Sequence, residues 1–355
     1  MTRILLAHDG DWPTLIAIPW LANRHGAEVV TVTLDLGQPV NLAEVREQAL
    51  AAGAVRAHVI DAREGLAERV VLPALRAGAI CLDEEDPLVR PLALPPIARH
   101  VAEVAAMEQA SAIAHGSVTD RLSRLLASLT TTPILPSLAV VVTREEQERL
   151  ASQAGVASAG DAASSSRKAT LWGQPVLAVV GHGLPSRQAG GAVEAGRALT
   201  DRAVVVEIGF EKGVPIAVSG VAMAFLELIG SLDTILGGRG QGSGVSRQGA
   251  GSGWYAPAAV VLSRAFQALE PQCLSPRLLD LRRPLARAYV DFLYEGHWFL
   301  PEREAIDAFT TRALETFNGS VRFELSSGEL RLTEVCPSAR GGPGVGEETI
   351  DKVTR

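Results

Sequence analysis

Asp9, Gly10, Asp11 and Thr14 sit where an apolar run, Ile4-Leu5-Leu6-Ala7, gives way to a helical pattern. The arrangement is a strand passing through a glycine turn into a helix. In open α/β folds that turn holds a ligand, because the helix N-terminus presents unpaired N–H groups to an anion. The position suits a phosphate, and the residues do not. Asp9 and Asp11 bring negative charge to the place a polyphosphate would take. Two like charges ~4 Å apart at an effective dielectric of about 20 repel by on the order of 4 kcal/mol. Pro13 removes a backbone donor, although proline is comfortable at a helix start. A magnesium ion bridging Asp9 and Asp11 would have to reverse the charge of the loop.

Little else in the chain points to chemistry. His8, His115, His182 and His297 have no carboxylate at a fixed spacing, and no Ser/His/Asp or Cys/His arrangement stands out. No nucleophile, general base or other catalytic residue is assigned. Cys81, Cys273 and Cys336 lie far apart without a CxxC pair, so no zinc or other metal site is expected, and they read as incidental thiols in a reducing compartment.

The elements that must position the loop read as βαβ units. Strands are expected at 2–7, 28–36, 56–61, 111–115 and 138–142, with helices at 14–25, 42–52, 63–77, 95–109, 119–129 and 144–153 between and after them. Asn41 caps the second helix and Gly53 ends it. Alternation of this kind builds a parallel sheet whose ligands bind at the carboxyl ends of the strands, which singles out loops 8–14, 35–41, 61–63 and 115–119. Residues 157–169 are small and polar and read as a linker. Beyond them a hairpin is expected from 203–209 and 214–219 about Phe210-Glu211-Lys212-Gly213. Helices follow at 223–236, 257–269, 275–295 and 301–317, then a hairpin of 320–325 with 329–334. The Gly/Ser-rich stretch 237–253 reads as a flexible loop rather than core, and the residues from Pro337 as a frayed tail.

With 355 residues, 47% hydrophobic and 21% charged, the chain can bury one large core or two ordinary ones, and two domains are expected. The net charge of -7 argues against a nucleic-acid partner. No basic-then-apolar leader opens the chain and no apolar run is long enough for a membrane span, so a cytoplasmic protein without a membrane partner is expected.

Several segments, in order, carry a family likeness. They are Leu36-Gly37-Gln38, Arg46-Glu47-Gln48-Ala49-Leu50-Ala51-Ala52-Gly53-Ala54, Leu72-Pro73-Ala74-Leu75, Ile97-Ala98-Arg99, Ala114-His115-Gly116 and Leu171-Trp172-Gly173. Further along come Glu207-Ile208-Gly209-Phe210-Glu211-Lys212-Gly213-Val214-Pro215, Tyr255-Ala256-Pro257-Ala258 and Tyr294-Glu295-Gly296-His297-Trp298-Phe299 with Pro301. The chain resembles argininosuccinate synthase along nearly its whole length. The resemblance implies an α/β fold: a parallel-sheet ATP-pyrophosphatase-like nucleotide domain at 1–156, a linker at 157–170, an α+β synthetase domain at 171–336 and a tail at 337–355. It also implies an ancestral reaction, in which ATP adenylates the ureido oxygen of citrulline, pyrophosphate leaves, and the amine of aspartate displaces AMP.

The same resemblance shows what has changed. The family's phosphate loop, Ser-Gly-Gly-x-Asp-Thr-Ser, falls on Asp9 to Leu15, so Pro13 stands where the family has its magnesium-associated Asp. After His115-Gly116 the family's Thr-Gly-Lys-Gly-Asn-Asp-Gln-Val-Arg-Phe-Glu is reduced to Ser117-Val118-Thr119-Asp120-Arg121-Leu122, where Thr119 and Asp120 serve either as a remnant of the aspartate site or as an N-cap pair. The Tyr-Leu-Leu-Gly-Thr-Ser-Leu-Ala-Arg-Pro segment has become Pro87 to Pro95. By position, Ala7, His8, Asp9, Gly10, Asp11, Thr14, Leu34 and Gly116 surround a nucleotide, and Tyr255, Thr119 and Asp120 face the substrates. The expectation is a homologue unable to make argininosuccinate, non-catalytic or regulatory, alone as a homo-oligomer or docked on a true argininosuccinate synthase. The alternatives are a remodelled ATP-dependent ligase with another acceptor and amine, or weak residual synthase activity; ATP and magnesium are the cofactors if activity remains.

Overall fold

A computed structural model describes residues 2–80, 88, 90–117, 119–136, 143–153, 168–177, 203–237, 243–245, 252–326 and 329–338. The expected strand 138–142, most of the linker and most of the tail lie outside them. Its first sheet has the order β3-β2-β1-β4, from β1 (Arg3–Ala7), β2 (Glu28–Asp35), β3 (Arg56–Asp61) and β4 (Ala112–His115), and every pairing is parallel. The interior of β2, Val-Val-Thr-Val-Thr-Leu, is buried on both faces, as its β-branched run requires of a central parallel strand. The chain steps outward through β2 and β3, then returns to place β4 on the other side of β1. The β1/β4 boundary is therefore a topological switch point, where open α/β sheets hold ligands.

Helices α1 (Trp12–His25), α2 (Leu42–Ala51) and α5 (Leu94–Met107) cover the sheet. Asn41 caps α2 through its side-chain oxygen, which accepts from Ala43 and Glu44 N–H, as expected. The expected helix at 63–77 is broken internally. It runs as α3 (Arg63–Leu66), a π-helical turn (Ala67–Val71) and α4 (Leu72–Arg76). Pro73 cannot donate to the carbonyl one turn back, and the ladder slips so that Leu72 N–H bonds Ala67 O.

At the amino end of the sheet a buried carboxylate ties three elements together. Glu108, at the end of α5, accepts from Arg3 (β1), Arg56 and His58 (β3) at 3.2, 2.9 and 2.8 Å. Burial works against its ionisation, but the hydrogen bonds and charges of His58 and Arg56 outweigh that and hold its carboxyl below the usual range. A depressed folded pKa contributes stability that is complete above the unfolded value of ~4.3 and is lost as pH falls through the folded one. Thermal melts between about pH 6 and pH 3 are expected to fall less steeply for Glu108→Gln than for the natural chain, from a lower starting point.

Helices α6 (Arg121–Ala127), packed on α5, and α7 (Arg144–Gln153), packed on α1, belong to the first half; the second half is built on a five-stranded antiparallel sheet, β12-β11-β6-β7-β8. It comprises β6 (Val204–Glu211), β7 (Val214–Val218), β8 (Val221–Ala222), β11 (Gly319–Ser326) and β12 (Glu329–Pro337). The expected turn is tighter than read: Phe210 and Glu211 belong to β6, and Lys212-Gly213, with φ of 49° and 76°, make the two-residue turn. Helices α8 (Phe225–Gly237), α9 (Pro257–Cys273), α10 (Pro276–Glu295) and α11 (Pro301–Ala313) complete this half. The Gly/Ser stretch is not all loop, because Ser243–Val245 (β9) and Ser252–Tyr255 (β10) pair with β5 (Gln174–Leu177) in the order β5-β10-β9.

One hydrophobic cluster runs through both halves, from Leu5 and Val30 through Trp172 to Phe266 and Phe323. A smaller one lies on the other face of the parallel sheet, beneath α1. Leu171 N–H bonds Leu36 O at 2.6 Å, so the Leu-Trp-Gly segment closes on the end of β2. Arg121 stacks on the Tyr294 ring and Arg124 bonds Glu295 O, so α6 leans on the end of α10.

Candidate functional site

The loops after β1 and β4 meet at the switch point. Ala7 pairs with Val32 on one side and His115 on the other, which brings residues 8–14 beside Gly116. A Cβ on Gly116 would stand 2.9 Å from the Thr14 methyl, so the two loops are packed without a gap. Gly10 turns the chain at φ 79°, a conformation that favours glycine. Ala7, His8, Asp9, Gly10, Asp11, Thr14 and Gly116 are thus gathered in one place, and of these Asp9 is exposed while His8, Asp11 and Thr14 are buried.

The polar groups of this loop bond to one another. The Thr14 hydroxyl lies 2.7 Å from Asp9 Oδ1, 2.8 Å from His8 Nδ1 and 3.0 Å from Asp11 O. It has one proton to give, and the ionised carboxylate is the nearest and strongest acceptor. His8 then meets the hydroxyl with an Nδ1–H. Asp9 Oδ1 also accepts Asp11 N–H at 3.0 Å. Asp11 caps α1: its side chain takes Trp12 N–H, and its carbonyl takes the N–H of Thr14 and Leu15. Pro13 has none. The first turn of α1 therefore has its amides engaged within the loop.

Neighbouring strand ends are held in the same way. Arg63 binds Asp61 at 2.6 Å and reaches Asp35 at 3.6 Å, and the Arg63 hydrogen bonds pull the Asp61 carboxyl down to about 2. The Asp35 side chain accepts Gly37 N–H. Leu34 is buried in the main core at the end of β2, with its carbonyl bonded to Gln38.

His115 has its ring fixed at both nitrogens. Nδ1 accepts Ser117 N–H at 3.2 Å, and Nε2 faces Ser123 Oγ at 2.8 Å. The first contact leaves the proton on Nε2, and burial pushes the ring's pKa down, opposed in part by Asp120. It is a neutral, doubly anchored side chain. Thr119 and Asp120 follow in a short turn closed by Ser117, whose hydroxyl bonds the backbone of Thr119. Asp120 does take the N-cap position of α6, but among the described residues its side chain makes no capping bond.

Tyr255 ends β10, half-buried, just before α9. The start of α9 receives a carboxylate from within, since Asp233 of α8 accepts Ala258 N–H at 3.0 Å. His297, expected to have no carboxylate at a fixed spacing, does have one in Glu295 at 3.2 Å, two residues earlier, because the turn at Gly296 folds it back. His182 lies outside the described residues. Among the described residues no group of three or more His, Cys, Asp or Glu side chains is placed to hold a metal, and no helix is long and apolar enough to cross a membrane. Sequence reasoning missed the part played by Asp9. The available signal was an Asp two residues before a helix N-cap, the spacing at which an Asx turn closes on a backbone N–H.

Two family descriptions match the chain: the arginosuccinate synthase N-terminal HUP domain over residues 3–156 and the arginosuccinate synthase C-terminal domain over residues 191–336. The argininosuccinate synthase of Nitratidesulfovibrio vulgaris is 31% identical over 361 aligned positions, covering 92% of this chain and 85% of that one. The argininosuccinate synthase of Symbiobacterium thermophilum is 32% identical, with 92% and 86% covered. Among solved structures, an NAD+ synthetase from Burkholderia pseudomallei aligns with 44% of this chain and 61% of its own at 16% identity and a TM-score of 0.31, a likeness too slight to add to the topology above. With both family domains matched in order and relatives above 30% identity aligned over most of its length, the chain belongs to the argininosuccinate synthase family.

Proposed function

We propose that this member of the family does not make argininosuccinate and acts as a non-catalytic or regulatory homologue in the cytoplasm. The observation that carries the reading is the engagement of the α1 start: Thr14 Oγ1 and the N–H groups of Asp11, Trp12 and Thr14 all bond within the loop. A polyphosphate needs those donors. It would also meet the Asp9 and Asp11 carboxylates, and Pro13 offers its metal no ligand. The residues present do not fit a magnesium–ATP complex.

The test is a coupled assay for pyrophosphate with citrulline, aspartate, ATP and magnesium together. No release above background and no ATP-dependent rise in melting temperature are expected. Steady release at a metabolic rate overturns the proposal. The second reading, a ligase that joins a different acceptor and amine, draws on the preserved turn: Gly10 keeps φ 79° and Gly116 keeps its contact with Thr14. It requires saturable nucleotide binding, so a calorimetric titration of ATP with magnesium separates the two.

A further inference from the structure

The loop that does not fit a polyphosphate is built mostly from groups other than the one that fills it. His8, Asp11 and Thr14 are buried, Gly10 packs on Val45, and Gly116 packs on Thr14. Asp9 alone is exposed, yet its Oδ1 is where the side-chain donor Thr14 Oγ1 and the backbone donor Asp11 N–H converge, at 2.7 and 3.0 Å. A carboxylate oxygen accepting a hydroxyl and an amide beside a helix start is what a phosphate oxygen would be in the same place.

We propose that Asp9 is the residue that excludes anions from this loop: its carboxylate stands in for the bound anion, and it bars inorganic pyrophosphate or a nucleotide's phosphates by both occupancy and charge. The inference rests on the reading that the protein does not use ATP, and it names the side chain responsible. Asp11 repels an anion too, but its carboxylate is buried and turned to Trp12 N–H as the helix cap. Asp9 is the exposed half of the pair, and removing it frees Asp11 N–H and takes from Thr14 Oγ1 its nearest acceptor, with Asp11 O at 3.0 Å the one that remains, while the cap, the turn and the packing stay in place.

The test titrates inorganic pyrophosphate, without metal, into the full chain and into Asp9→Ser by calorimetry, with thermal melts to show that each is folded. The natural chain is expected to give no saturable heat. Asp9→Ser is expected to bind at least tenfold more tightly than any affinity detectable in the natural chain, and Thr14→Val placed on top of it is expected to abolish the gain. Should Asp9→Ser fail to fold, Asp9→Asn carries the test: it keeps the size and one acceptor oxygen but not the charge, and a smaller gain must appear there. A folded variant that takes up no pyrophosphate overturns the proposal, as does a gain that survives Thr14→Val. So does a natural chain that binds as tightly as the variant. These outcomes separate from the functional reading, which is tested by turnover of ATP with citrulline and aspartate and by titration of ATP with magnesium into the natural chain.

Discussion

Glu270→Ala is expected to lower the stability of the chain by about 3–5 kcal/mol, the usual cost of leaving a buried charge without its partner. Glu270 of α9 accepts Arg282 Nε at 2.8 Å, and the Arg282 side chain is 4% exposed. Arg282 Nη2 bonds Arg76 O at 2.7 Å, reaching from α10 back to α4 of the first half, while Nη1 is buried with no hydrogen-bond partner among the described residues. The neighbourhood is already rich in cations. Arg76 is pushed below its ordinary pKa first by burial, with the Arg282 charge adding to it and Asp307 opposing. Taking away Glu270 removes the carboxylate that Arg282 bonds and leaves the Arg76 and Arg282 charges to repel each other.

Removing the other partner has a different consequence. The side chain of Glu270 is 24% exposed, so it can regain water when Arg282 is gone. Arg282→Met also keeps an apolar stem against Phe266, over which the guanidinium now lies at 5.9 Å. The methionine variant is therefore expected to lose distinctly less than Glu270→Ala, and the double variant to recover part of the Glu270→Ala loss. Denaturant midpoints of the three chains measure this order. Equal losses for the two single variants would show that packing rather than the stranded charge sets the cost.

Much of the first half was legible because its signals are local. β2 is a β-branched run, Asn41 is a strong cap, and alternation of strand and helix leaves few ways to order a parallel sheet. The misreadings fall where distant contacts decide. Helical periodicity continues past Ala313, yet α11 stops there, because Phe317 must turn inward to stack on Phe266 at 4.5 Å and to accept Gly213 N–H. The Gly/Ser stretch contributes strands only because β5, more than sixty residues earlier, supplies an edge to pair with. In the site, the charge pattern of Asp9 and Asp11 was visible at once. What that charge does was not, since a carboxylate that repels a ligand and one that replaces it have the same sequence. The difference is the 2.7 Å contact with Thr14, five residues away across a turn.

Gly10→Val is expected to cost about 2–5 kcal/mol, from two sources that can be told apart. The first is backbone strain: φ 79° disfavours any residue with a Cβ by roughly 1–2 kcal/mol, and a β-branched one most. The second is contact. A Cβ at this position would stand 2.9 Å from Val45 Cγ2 on α2, before the valine methyls are added, and overpacking of that kind costs about 1–3 kcal/mol. Gly10→Ala keeps the strain with a smaller clash. Val45→Ala, made in the same chain, removes the clash and leaves the strain. A double-mutant cycle on these two positions should return a favourable coupling, because the second substitution makes room for the first. Gly10→Asn with Val45→Ala should then approach the Val45→Ala chain in stability, since asparagine tolerates the left-handed conformation. An absent coupling would mean that α2 moves aside to admit a Cβ, and the loop that carries Asp9 would then owe its shape to its own hydrogen bonds rather than to the helix packed behind it.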